Sequence, residues 1–276
     1  MAITTKPLAL LMAAVLSLAA SSCSDKKSDE PSATKKPITN GVTYEFNNML
    51  AESTSETNTL LNYKVVTTTD GKTLDVYHTQ LKGETLPITP NALGISTSTV
   101  ANGIYYFNNK STKSDSEEYA QGYIDPVNGT CWLQSTVGSY SCVATSRKIL
   151  SALGDKSVSY QNTTERYYEI DVDETGTKAD VYIYNIAFVS QMPKLSKICI
   201  PGVAVKRENF LLTLTADKVT PLSYEGGVGT PMTSREVTNL EIQIYWNEPT
   251  KSTVKFTCFN LDFTDNFYTQ YTAMTE

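Results

Sequence analysis

A single histidine, His78, occurs among 276 residues, beside only two tryptophans. Any Ser-His-Asp or Cys-His arrangement would have to use it. It follows Asp75-Val76-Tyr77 on an expected strand, and its counterpart in a similar later segment is Ile183. It therefore reads as a structural side chain. No Gly-x-Ser-x-Gly elbow is present to hold a nucleophile. No Cys-x-x-Cys pair supplies a zinc spacing, and the residues around Asp173, Glu174 and Thr175 lack the full Asp-x-Asn-x-Asp-Gly calcium loop. No metal and no cofactor is expected. Lys and Arg number 23 against 29 Asp and Glu, a formal charge of −6. Without a basic stripe the chain has no electrostatic footprint for nucleic acid. After Cys23 no apolar run reaches the roughly 20 residues of a membrane-spanning helix.

What is present begins at the N-terminus. Met1–Lys6 carries one positive charge, Pro7–Ala20 is apolar, and Ala19, Ala20, Ser21 and Ser22 lead into Cys23. This is the layout of a secretory signal, and the cysteine after small residues resembles the lipobox of bacterial lipoproteins. Cys23 is the expected lipidation site, and its acyl chains would anchor the protein in a membrane. Residues 24–40 are polar, charged and proline-containing, too poor in apolar surface to fold. They read as a flexible tether. The early acids, interrupted by Lys26 and Lys27, loosely resemble a surface-export tag. The expected divisions are 1–22 signal peptide, 23–42 tether, 43–150 first β module and 151–276 second β module. The expected location is the cell envelope, lipid-anchored to the outer membrane on its surface or periplasmic face.

The body favours strands. Seventeen tyrosines accompany abundant Thr, Val and Ile, residues that suit a pleated, half-buried surface. Apolar and polar residues alternate in Tyr168–Val172, Val181–Phe188, Leu240–Tyr245 and Val254–Cys258. Two helical candidates stand against this, Ser146–Leu153 before Gly154 and the diluted run Asn47–Leu61. An internal repeat is visible: 63–77 and 168–182 share Tyr63/Tyr168, Gly71/Gly176, Asp75/Asp180, Val76/Val181 and Tyr77/Tyr182. Both segments read as a hairpin around a Gly turn, and later landmarks follow in the same order. The expectation is an all-β protein of two sequence-related modules in tandem, small barrels or sandwiches. The alternative is one sheet system using both halves.

Residues 179–188 (Ala-Asp-Val-Tyr-Ile-Tyr-Asn-Ile-Ala-Phe), Gln191-Met192-Pro193, Ile198–Val203 and Val237–Leu240 together resemble the lipid-anchored calycin-like, or lipocalin-like, β-barrel proteins of Bacteroidetes. The resemblance covers about residues 165–260 and carries no catalytic residue. It implies a barrel able to hold a small ligand, although the lipocalin Gly-x-Trp is missing and Trp132 and Trp246 come late in each half.

Four cysteines remain after Cys23, and export would allow Cys131, Cys142, Cys199 and Cys258 to form two disulfides. Cys131 with Cys142, on adjacent strands, and Cys199 with Cys258 are the pairs considered, against the reading of buried free thiols. A glycosidase needs two carboxylates about 5 to 9.5 Å apart. Asp171, Asp173 and Glu174, and separately Glu117 and Glu118, cluster at turns or strand ends where acids are ordinarily solvated. The stronger hint is aromatic: Tyr105, Tyr106, Trp132, Tyr245 and Trp246 lie near expected strand ends, where rings can stack on sugars or anchor a partner. The expected function is therefore non-catalytic binding or interaction at the cell envelope, with a glycan, small apolar molecule or protein as ligand. The alternatives are a fimbria-like structural subunit and a glycan-directed hydrolase.

Overall fold

Alternating side chains decide the architecture, because a strand with one apolar face must bury it against a second layer. The computed structural model describes residues 40–53, 63–69, 73–80, 95–96, 98–100, 103–110, 119–137, 140–154, 158–246 and 251–269. Among these, the first sheet contains β1 (Val42–Ser53), β2 (Tyr63–Thr69), β3 (Thr73–Gln80), β4 (Ile95–Ser96), β5 (Ser98–Val100), β6 (Ile104–Lys110), β7 (Tyr119–Asp125), β8 (Thr130–Val137) and β9 (Tyr140–Thr145). The second contains β10 (Lys148–Leu150), β11 (Tyr167–Val172), β12 (Lys178–Ile186), β13 (Leu195–Glu208), β14 (Leu211–Val219), β15 (Leu222–Ser223), β16 (Thr230–Pro231), β17 (Val237–Tyr245), β18 (Thr253–Cys258) and β19 (Leu261–Asn266). One 3-10 turn, Tyr160–Asn162, precedes β11. The protein is all-β, with two curled antiparallel half-barrel sheets in tandem.

Both sheets meander and curl back on their first strand. In the first the order is β4-β3-β2-β1-β9-β8-β7-β6-β5, so β1 lies between β2 and β9. A register break between Phe46 and Met49, with Asn48 at φ 52°, lets one strand serve both neighbours. In the second the path is β10-β11-β12-β13-β14-β17-β18-β19. Its ends meet at a bridge between Ser151 and Thr269 and at the bond from Ala152 N to Tyr268 O, 2.6 Å. Arg166 also pairs with Asp265 at 2.6 Å, and the Tyr168 hydroxyl donates to the same carboxylate.

The four expected alternating segments lie in β11, β12, β17 and β18. Neither helical candidate is a helix in the described residues. Residues 148–150 form β10, with Lys148 opposite Asp171 and Leu150 opposite Glu169. Residues 47–53 belong to β1, while 54–61 lie outside the described residues. The reason is the same in each. Ile149 and Leu150 are both buried, as are Met49, Leu50 and Ala51, so neighbours on opposite strand faces are both apolar and the period of two disappears.

That double burial runs through the first sheet. Phe46, Met49, Ala51, Val65, Phe107, Ile124, Cys131, Leu133, Cys142 and Ala144 fill its inner face. The alternate residues Leu50, Ile104, Tyr123, Trp132 and Val143 join the core of the second sheet, with Ile149, Ile244 and Trp246. The first sheet therefore packs its outward face onto the second, and the described residues belong to one compact unit. The chain changes sheets at Ser146, whose amide donates to Cys131 O at 2.8 Å while its hydroxyl accepts from Cys131 N at 3.0 Å.

Glu52 seals this junction. It is 8 % exposed, and its two carboxylate oxygens each lie 2.9 Å from the Phe210 amide. Phe210 sits in the β13–β14 turn, where Asn209 and Phe210 both have positive φ, 54° and 59°. Burial pulls the Arg207 pKa down, and the Glu52 charge opposes that. One Arg207 guanidinium nitrogen is buried without a hydrogen bond.

Glu52→Ala removes the acceptor and the compensating charge together, so a loss of about 3 kcal/mol is expected in denaturant unfolding; unchanged stability would show that the contact is incidental. Gly122→Ala should cost at least as much. An added Cβ there would stand 2.0 Å from Trp132 O and 2.9 Å from Phe107 Cζ, so β7 and β8 would have to separate. A variant melting with the wild type would contradict that close approach.

Candidate binding face

Of the aromatic residues expected at loop rims, Trp132 and Trp246 are core groups, whereas Tyr105, Tyr106 and Tyr245 are half-buried. Trp132 and Trp246 are 5 % and 2 % exposed and belong to the core of the second sheet. With Tyr245, Tyr123, Ile149 and Ile244 they line a small space at the junction of the sheets. Tyr106 packs on the same core, 6.1 Å from the Tyr123 ring. Tyr105 packs on the first sheet's inner cluster, 6.5 Å from Tyr44. For Trp132 and Tyr106 the physical reason is the second sheet, which covers positions that alternation alone assigns to water.

Neither of the two disulfides considered forms. Cys131, Cys142, Cys199 and Cys258 are buried thiols that form no disulfide. On β8 and β9, Cys142 is opposite Ser135, four positions from Cys131. That offset separates the two by roughly 13 Å at 3.3 Å per residue, beyond the Cα separation of about 7 Å that a disulfide tolerates. Cys199 pairs with Tyr182 and Leu222, on the face opposite Ile198 and Ile200, whereas Cys258 lies in the core with those isoleucines. Burial pushes the Cys199 thiol up to about 12, the Asp180 charge adding to it, and burial also raises Cys131 and Cys258. These are poor nucleophiles.

Other candidates serve the fold or lie outside the description. Asp173 accepts from Thr177 N and Lys178 N and from the Thr175 hydroxyl, tying the β11–β12 turn together. His78 is on β3 opposite Val65. Cys23, Glu117 and Glu118 lie outside the described residues.

The structure assembles a different aromatic set on the outer face of the second sheet. Along β12, Val181 and Ile183 point into the core, so Tyr182 and Tyr184 point out. On β11, Tyr168 and Ile170 point in, leaving Tyr167 and Glu169 outward. Strand register then sets Tyr167, Tyr184 and Lys197 in one row across β11, β12 and β13. Tyr224 follows, its amide donating to Lys197 O at 3.0 Å.

Within the row, Tyr167 and Tyr184 stack at 4.3 Å with planes 6° apart, and Tyr160 meets Tyr167 edge-on at 5.0 Å. The Lys197 ammonium lies 4.1, 5.2 and 5.4 Å from the ring centres of Tyr182, Tyr184 and Tyr224, within cation–π range. Tyr182, Tyr184, Tyr224 and Lys197 are all half-exposed. Burial raises the Tyr167 hydroxyl to about 12, with the Glu169 charge adding to it, and raises Tyr182 and Tyr184 further. Tyr167, Tyr182 and Tyr184 are neutral phenols at any physiological pH.

A groove of about 490 Å³ continues from this face. It lies between the start of β1, the β7–β8 turn and the sheet crossover, lined by Tyr44, Asn47, Pro126, Arg147, Lys148 and Asp171 among others. Glu169 links it to the row, 3.6 Å from the Lys148 ammonium and accepting from the Tyr184 hydroxyl at 3.1 Å.

The Tyr182-x-Tyr184 spacing was a visible sign of outward rings. Lys197 and Tyr224 carried none, since only strand register brings them alongside. No family model, curated protein or solved structure matches this chain.

The four buried thiols are expected to resist iodoacetamide in the native protein and to label fully after unfolding, as read by peptide mass mapping. A native peptide pair joined through Cys131 and Cys142 would contradict the strand register.

Proposed function

We propose that this protein is a lipid-anchored cell-envelope protein of non-catalytic binding type, which engages its ligand on the outer face of β10–β13. The observation that carries the reading is a contrast between faces. Large apolar side chains, among them Ile170, Ile183, Ile198, Leu214, Ile242 and Phe256, occupy the interior of the second sheet. Its outer face carries a row of half-exposed tyrosines around an ammonium. A filled interior disfavours the small apolar ligand of a lipocalin-type barrel. Aromatic rings with polar tips suit recognition at a surface.

Anchoring through acylated Cys23 follows from the lipobox-like N-terminus, and the polar tether would hold the binding face away from the membrane. Membership of the calycin-like lipoproteins is part of the proposal, supported by the β-barrel-like fold and the phrases along 179–240. So is duplication of one module. In each half, the repeated segment forms the hairpin of the second and third strands, β2–β3 and β11–β12, and a meander follows.

Two measurements test the reading. Cys23→Ser should move the protein from the membrane to the soluble fraction. Purified protein should bind isolated cell-envelope material, and Tyr184→Ala with Tyr224→Ala should weaken that binding at least tenfold. Undiminished binding by a folded double variant would refute the assigned face, and membrane retention of Cys23→Ser would refute the anchor.

A further inference from the structure

We infer that the strip from the tyrosine row to the junction groove is a site for a neutral oligosaccharide chain. The inference rests on the binding reading above and names its ligand class.

Shape is the first argument. Tyr167, Tyr184 and Lys197 follow one another across β11, β12 and β13, and Tyr224, directly after β15, lies beside Lys197. Three strand spacings make this row about 14 Å long, from Tyr167, buried at 8 % exposure, to the half-exposed Tyr224, and the groove lies four residues further along β11, at Asp171. An elongated ligand fits such a row better than a compact one. The row is also a sheet face: β12 and β13 are hydrogen-bonded on both edges. An extended peptide therefore has no free ladder to join there.

Charge is the second argument. Donors and acceptors interleave along the strip: Lys197, Lys148 and Arg147 lie among Glu169, Asp171 and Asp180. A polyanion would meet the three carboxylates, and a polycation the three cationic groups. Hydroxyls both donate and accept, so a neutral polyol can pair with either kind. The apolar C–H faces of pyranose rings would lie against the tyrosines.

Lys197 has a specific part. Its ammonium contacts three rings and forms no ion pair among the described residues, unlike Lys148 with Glu169 or Lys206 with Glu208. Its flexible stem lets the head group leave the Tyr182 face and donate to a sugar hydroxyl while the vacated ring accepts the sugar.

Affinity electrophoresis tests this. Purified protein is run through native gels containing a mixed-linkage β-glucan, a galactomannan or dextran, and in parallel through polygalacturonate. At least one neutral polymer should retard the protein. Tyr184→Ala and Tyr224→Ala should each weaken retardation at least tenfold and Lys197→Ala at least threefold. Phe259→Ala, at an exposed ring on the β18–β19 turn, should migrate like the wild type. Circular-dichroism melts confirm that each variant is folded.

Retardation by polygalacturonate alone would overturn the neutral-sugar assignment while leaving a binding face. Retardation that persists in folded tyrosine variants would overturn the site. Failure with every polymer overturns the glycan inference, and the binding reading falls with it only if envelope material is not bound either.

Discussion

The packing of the first sheet's outward face against the second sheet is the contact on which the rest of the molecule depends. Leu50, Tyr123, Trp132 and Val143 point away from their own half-barrel, yet each is nearly or fully buried. Their removal from water gives the two sheets one continuous core. A polar group at such a junction must be satisfied, and the Glu52 carboxylate meets that demand by accepting the Phe210 amide and facing Arg207. The hydroxyl and amide of Ser146 do the same at the crossover.

This contact also determines which surfaces remain for function. It removes Trp132 and Trp246 from solvent and leaves the outer face of β10–β13 uncovered. There the apolar requirement has already been met by Val181, Ile183, Ile198 and Ile200 pointing inward, so the outward positions are free to carry Tyr182, Tyr184 and Lys197. The junction groove arises from the same packing, because it forms where β1, the β7–β8 turn and the crossover approach β10 and β11.

Much of the strand content was legible in the residue order. Where one strand face is buried and the other meets water or half-exposed tyrosines, as in β11, β12, β17 and β18, alternation marks the strand directly. Where both faces are buried, as at Met49–Ala51 or Ile149–Leu150, alternation vanishes and short apolar runs resemble helix. The cysteines show a second limit. Proximity along the chain suggested Cys131 with Cys142, but a four-position offset in the ladder separates them. The binding face was half legible, since Tyr182 and Tyr184 share a strand whereas Lys197 and Tyr224 are brought in from others.

By itself, the sequence determined an all-β body with a repeated hairpin segment, because side-chain alternation and Gly turns are local properties of the chain. Its N-terminus, which resembles a lipobox ending at Cys23, is the source of the proposed lipid anchor. Only the tertiary structure decided which alternating faces meet water, which aromatics are core and which form a row, and that the four body cysteines stay apart. The physical reason is that strand register and sheet-on-sheet packing are non-local: a one-residue shift reverses every face, and no short stretch of sequence records the strand that will lie beside it.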